Sequence, residues 1–216
     1  MNEAEISRKL IRVCTRLHRR NLLASADGNV SYRVADERIL ITPAGKSKAL
    51  LREKDIAVIT SKNEILQGTP SSERLMHLAI YRGCPKARAV VHAHPPTAIA
   101  WSVAFPEIPE LPSECLSELI LSMGRVPVVP YARPGTEKMG EVLGPFLPGS
   151  RVMILARHGA VSWGEDLDEA YNGMERLEHV CGILKLAKEL GGLSVLPPEE
   201  VQALREMRKK LGERIL

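Results

Sequence analysis

Aromatic side chains are scarce, 4% of the 216 residues, and the formal net charge is only +4 with the basic residues spread along the chain. No aromatic-rich basic face of the kind that reads nucleic acid is encoded, and Arg19-Arg20 and Arg208-Lys209-Lys210 read as solvated helix surface. Cysteine is sparse too. Cys14, Cys84, Cys115 and Cys181 lie far apart and form no CxxC pair, which excludes a zinc knuckle or redox dithiol and leaves reduced thiols. No apolar run approaches the ~18 residues of a membrane span, and MNEAEISRKLIRV mixes charged with apolar residues as no signal peptide does. A cytoplasmic protein with no membrane partner is expected. Repeats, linkers and the biased composition of disordered tails are missing as well, so residues 1–216 read as one domain, with 44% hydrophobic and 26% charged residues at globular averages.

The elements follow from periodicity. Ile6, Leu10, Val13 and Leu17 predict an amphipathic helix over 3–21. SADGNVSYRV and RILITPAG read as strands flanking a charged turn, and DIAVIT with NEILQ as a second hairpin around Ser61-Lys62. SSERLMHLAIYRG opens with serines suited to an N-cap and continues at helical spacing. ARAVVHAH is a strand halted by Pro95-Pro96, and VPVVPY and RVMILA are further strands, the latter pairing with GAVSWG across Arg157-His158-Gly159. A long helix covers DLDEAYNGMERLEHVCGILKLAKEL, and one more follows Pro197-Pro198. Strand pairs on short turns with helices between them predict a layered α/β fold with substantial antiparallel pairing.

His92 and His94 are two residues apart on a predicted strand, so their imidazoles share a face while Val91 and Ala93 take the other. Two neutral imidazoles at this spacing suit zinc, which takes three protein ligands in a catalytic site. Taken alone, the pair fits two hydrogen-bonded histidines as well. His158, on the turn in ARHGAV, offers a third ligand and a site with one open position, or is a plain loop residue. Glu73 stands at a helix start, where a carboxylate is commonly a partner of the helix dipole. His77, four residues on, forms a metal pair with Glu73 or packs in support. Ser71-Ser72 ahead of a helix, Gly28-Asn29, and Ala44-Gly45-Lys46 each offer amides or charge to a phosphate, or are ordinary turns.

Taken in order, DGNVSYR, ITPAGK, SSERLMHLAIYR, VVHAHPP and ARHGAVSWGEDLDEAY resemble the class II aldolase/adducin family, and within it the L-fuculose-1-phosphate aldolases, over about residues 5–190. The resemblance implies a three-layer α/β/α fold around a central, mainly antiparallel sheet, and a homotetramer with active sites between subunits. It implies Zn2+, or another divalent metal, on His92, His94 and His158, with Glu73 as catalytic acid/base that also ligates zinc at rest. Gly28, Asn29, Gly45, Ser71 and Ser72 become the phosphate cradle and His77 a supporting residue. The implied reaction is retro-aldol cleavage of a ketose 1-phosphate to dihydroxyacetone phosphate and an aldehyde, through an enediolate.

Two positions depart from the family pattern. Ala44 replaces a hydroxyl residue beside the cradle glycine, with Lys46 available to compensate. Leu116 stands where fuculose-phosphate aldolases present a tyrosine as the proton partner of the departing aldehyde, leaving Glu114, Glu118 or Tyr131 as substitutes. Pentulose-phosphate 4-epimerases and methylthioribulose-1-phosphate dehydratases share the implied scaffold, and adducin-like members use it for interaction without catalysis.

Overall fold

The computed structural model describes residues 2–35 and 37–215. Helix α1 (Glu3–Arg19) starts at Asn2, whose side chain accepts the Glu5 amide while the Glu5 carboxylate accepts the Asn2 amide. This reciprocal cap fixes the first turn. The helix buries Ile6, Leu10, Val13, Cys14 and Leu17 along one stripe, as their spacing predicts.

Strands β1 (Asn29–Ala35), β2 (Arg38–Ile41), β3 (Ala57–Ile59) and β4 (Ile65–Gln67) form the two expected hairpins, and helix α2 (Arg74–Gly83) follows. Next come β5 (Ala89–Ala93), α3 (Pro96–Ala104), α4 (Ser117–Ser122), β6 (Val128–Val129) and α5 (Glu137–Leu143). The chain closes with β7 (Val152–Leu155), β8 (Gly159–Gly164), α6 (Leu167–Glu189) and α7 (Pro198–Lys210). Among the described residues the strands make one eight-stranded sheet in the order β4-β3-β2-β1-β5-β8-β7-β6. All pairings are antiparallel except β6 with β7.

Each sheet face carries its own core, which bears out the layered α/β/α reading. On one face α1, α3 and α6 pack Leu10, Leu17, Trp101, Met174 and Leu177 against Val30, Val91 and Ala93. On the other, α2 and α5 pack Met76, Ile80, Met139 and Leu143 against Ile39, Val90, Met153 and Val161. The four cysteines are free, and burial pushes the Cys14 and Cys84 thiols up to about 12, as befits inert packing groups. No described helix is long and apolar enough to cross a membrane.

Three local expectations need correction. Pro95-Pro96 halts β5 but also begins α3, because proline's missing N–H costs nothing in a first helical turn. The strand ends at Ala93, so His94 lies just beyond it. The serines before α2 are not its cap. The cap residue is Glu73, with no side-chain capping bond of its own, and Ser71 Oγ accepts the Glu73 amide at 3.3 Å.

Candidate active site and metal centre

The sheet register builds the site. Asn29 on β1 is paired with His92 on β5, and His92 in turn with Val161 on β8. The turn between β7 and β8 closes with the His158 amide donating to Leu155 O at 3.0 Å, and Arg157, at φ 60°, donates its amide to Ser102 Oγ of α3 at 2.9 Å. These bonds carry His158 to the end of β5. The imidazoles of His92, His94 and His158 meet there with ring centroids 4.9–5.2 Å apart, each contributing one nitrogen to a group spanning no more than 4.8 Å.

The outer ring nitrogens decide what the inner ones present. His92 Nδ1 lies 2.9 Å from Ala160 O, and a carbonyl only accepts, so Nδ1 carries a proton and Nε2 is the nitrogen turned toward His94 and Glu73. His94 Nδ1 faces the Asp27 carboxylate at 3.5 Å, which favours the same tautomer. The two Nε2 atoms are 3.2 Å apart. That spacing suits two nitrogens that share one cation, since zinc at ~2.05 Å from each in tetrahedral geometry would need about 3.3 Å. Burial and the neighbouring imidazoles push the His158 pKa down to about 4 and lower that of His94, so both rings are neutral ligands at pH 7.

Glu73 completes the cluster. Its Oε2 is 3.1 Å from His92 Nε2 and its Oε1 3.3 Å from His158 Nε2. Burial opposes its ionisation, yet His92, His158 and the Asn29 amide outweigh burial and hold the carboxyl well below the usual range. Oε1 of Glu73 and Nδ1 of His158 are buried with no hydrogen-bond partner among the described residues. An orphaned carboxylate oxygen beside three converging imidazoles fits a divalent cation.

A buried polar chain orients that carboxylate. Asn29 Nδ2 donates to Glu73 Oε2 at 2.9 Å, so Asn29 Oδ1 is an acceptor and takes the His77 Nε2 proton. His77 Nδ1 must then accept from Ser31 Oγ at 2.7 Å, and Ser31 Oγ accepts from Tyr81 Oη at 2.7 Å. Burial, helped by His92, pushes the His77 pKa down to about 3, which keeps the ring neutral and the chain intact. His77 thus bonds Asn29 and not the imidazole cluster, and the Asn29 side chain is spent on Glu73.

Backbone bonds tie together the segments expected to bind phosphate. Thr42 and Val30 exchange bonds of 3.0 and 3.1 Å, the Ser71 amide donates to Thr42 O, and the Ala44 amide to Thr69 O. These links join the segments that carry Gly28, Gly45, Ser71 and Ser72. Gly28 (φ +65°) and Gly45 (φ +66°) both need the left-handed conformation, and a Cβ on Gly28 would also lie 2.7 Å from His92 O. Lys46 does not face the cradle alone, because its Nζ is 2.5 Å from Asp55 Oδ1. Of the tyrosine substitutes, Glu114 pairs with Arg205 at 2.8 Å, Glu118 accepts from Ser117 at 2.9 Å, and Tyr131 is 60% exposed. Among the described residues no hydrogen bond or ion pair links them to the imidazoles.

A family model, the class II aldolase and adducin N-terminal domain, matches residues 8–184. The chain belongs to the class II aldolase and adducin family. It is 33% identical to a 3-oxo-tetronate 4-phosphate decarboxylase of Escherichia coli O6:H1, over 84% of this chain and 87% of that protein. To an L-fuculose phosphate aldolase of Methanococcus vannielii it is 35% identical, over 81% and 92%. The crystal structure of YgbL from Escherichia coli superposes with a TM-score of 0.88 at 30% identity, covering 94% of this chain and 99% of that one. These relatives are enzymes of the class II aldolase family, whose members are typically metal-dependent, and the family suggests a sugar-phosphate substrate.

Proposed function

We propose that the protein is a metal-dependent carbon–carbon lyase that releases dihydroxyacetone phosphate from a phosphorylated substrate. The Glu73 carboxylate lying against three converging imidazoles carries the reading. His92, His94 and His158 would hold the cation, zinc by resemblance, with Glu73 as a further resting ligand. Such a cation supplies Lewis-acid polarisation of a carbonyl and stabilisation of an enediolate. The Gly28, Asn29 and Gly45 backbone with Ser71 and Ser72 binds the phosphate and so orients the scissile bond. Glu73 moves the proton at the carbon that gains the electron pair, and the Asn29 amide, locked by His77, aims it there.

The leaving fragment divides two readings. In the first, the substrate is a ketose 1-phosphate of the L-fuculose 1-phosphate kind and an aldehyde leaves, which requires the substrate hydroxyl to lose its proton. Leu116 favours a second. It precedes α4, packed against the core, and has no proton to exchange. A carboxylate that leaves as carbon dioxide requires no such partner, so decarboxylation of a phosphorylated 3-oxo acid, the activity named for one relative, uses the same residues and yields the same enediolate. The protein is read as one domain over residues 1–216, a cytoplasmic homotetramer with sites between subunits. Zinc-loaded protein incubated with a panel of ketose 1-phosphates and 3-oxo-acid phosphates tests this: dihydroxyacetone phosphate with aldehyde marks the aldolase, and with carbon dioxide the decarboxylase. Epimer or dehydrated product without carbon–carbon cleavage would overturn both.

A further inference from the structure

Lys48 is a lysine with 1% of its surface exposed. Its ammonium donates to Ala26 O at 2.8 Å, Lys46 O at 2.9 Å and Pro43 O at 3.3 Å, so all three protons are spent on backbone carbonyls. Ala26 is two residues before Gly28, and Lys46 adjoins Gly45. The side chain therefore staples together the two loops whose glycines adopt the left-handed conformation, 22 residues apart between Lys48 and Ala26. No carboxylate lies within 4 Å of the ammonium among the described residues, whereas its neighbour Lys46 is paired with Asp55. A buried cation held by carbonyl dipoles, with the Asp27 and Glu73 carboxylates attracting it only from beyond contact distance, is costly to maintain. An anion bound over the loops would offset that cost, and the glycine amides are only about two peptide units, ~7 Å, from the charge.

We propose that Lys48 is a positioning residue for the phosphate of the substrate: it fixes the Ala24–Asn29 and Pro43–Lys46 loops in one arrangement and supplies the buried positive charge that a phosphate monoester dianion neutralises. This rests on the phosphate-cradle reading above, with Lys48 acting through the loops and through its field without touching the ligand. Charge of the right sign at ~7 Å in a partly desolvated site is worth at least about tenfold in affinity for a dianion.

The test titrates inorganic phosphate into zinc-loaded wild type, Lys48→Gln and Lys48→Arg. Gln retains two donors but removes the charge; Arg retains the charge. Lys48→Gln is expected to raise the phosphate Kd at least about tenfold, and to raise KM for the phosphorylated substrate with little change in kcat or zinc content. Lys48→Arg restores most of the binding. Because Lys48→Gln could fail to fold, a second measurement uses wild type: the exchange-protected Lys48 ammonium resonance, identified by its loss in Lys48→Arg, should shift on saturation with phosphate. Unchanged phosphate affinity in folded Lys48→Gln, or an ammonium resonance blind to phosphate, overturns the proposal. Wild type that binds zinc but no phosphate overturns the cradle reading and this inference with it, whereas phosphate binding by all three proteins alike overturns this inference alone.

Discussion

Replacing Glu73 by Gln exchanges one oxygen for an amide in the middle of the imidazole cluster. Asn29 Nδ2 still needs an acceptor at 2.9 Å, so the Gln oxygen takes the Oε2 position and its NH2 group faces His158 Nε2, which lies 3.3 Å from Oε1 in the wild type. That N–H donates to the lone pair a cation would use. A neutral hydrogen bond in competition is worth ~1–1.5 kcal/mol, which weakens the metal roughly tenfold and leaves a three-imidazole site. Proton transfer suffers more, since an amide does not take a proton at neutral pH, and a positioned general base contributes about 10²–10⁴ in rate. Exchange of the dihydroxyacetone phosphate carbon-bound proton into deuterium oxide, followed by proton NMR on zinc-loaded enzyme, isolates that step from the leaving group. The expected result is zinc bound at one equivalent and exchange lost by about two orders of magnitude or more. Undiminished exchange would refute Glu73 as the base, and lost zinc would show the carboxylate to be an indispensable ligand.

His158→Ala leaves two imidazoles, and zinc retained after gel filtration, measured by elemental analysis, should fall to substoichiometric levels together with activity; full occupancy would place the metal elsewhere. Gly159→Ala adds a methyl 2.6 Å from Ala93 O and 2.9 Å from both His92 Cε1 and His94 Cδ2. It should cost about 1–3 kcal/mol in urea unfolding and weaken zinc binding as well, an effect that a loop without close neighbours would not show. Acid stability should reveal His77. The unfolded chain protonates this imidazole near pH 6.5, but the fold withholds the proton until about pH 3. Between those values the unfolded state binds more protons, so stability falls as pH falls. Metal-free wild type should lose a few kcal/mol across that window, and His77→Gln should show a shallower slope; equal slopes would mean the ring is not held neutral.

The architecture was legible wherever a period had length to speak. The α1 stripe, both hairpins, the β7–β8 pair and α6 lie where their spacing puts them. Short α4 and α5, at 6 and 7 residues, gave too few turns to show a stripe. Of the site, the histidine cluster was visible as a pattern, but the bond from the Asn29 side chain to the Glu73 carboxylate was not. Asn29 and Ser31 share one face of β1, and His77 and Tyr81, four apart, share one face of α2. Local periodicity gives each pair. Only the packing of α2 against β1 turns them into a single chain ending on Glu73. Lys48 was hidden for a similar reason: in GKSK nothing distinguishes the exposed lysine from the buried one.

The chemistry depends on sheet register more than on any single side chain. His92 faces α2 because Asn29 is opposite it and Ser31 opposite Val90, which places all four side chains on the α2 face while Val30, Val91 and Ala93 fill the α1–α6 core. A slip of β5 by one residue against β1 would turn His92 into that apolar core and Val91 toward Glu73. Gly28 sets the start of this pairing, since any larger residue would meet His92 O where the strands begin to run together. At the other end, the Arg33 amide donates to Arg88 O and the Arg88 amide to Gly164 O, tying β1, β5 and β8 into one frame. A glycine in a motif that reads as a phosphate loop therefore has a second duty that requires no ligand: it lets two strands approach closely enough for a histidine and an asparagine, 63 positions apart in the chain, to address the same carboxylate.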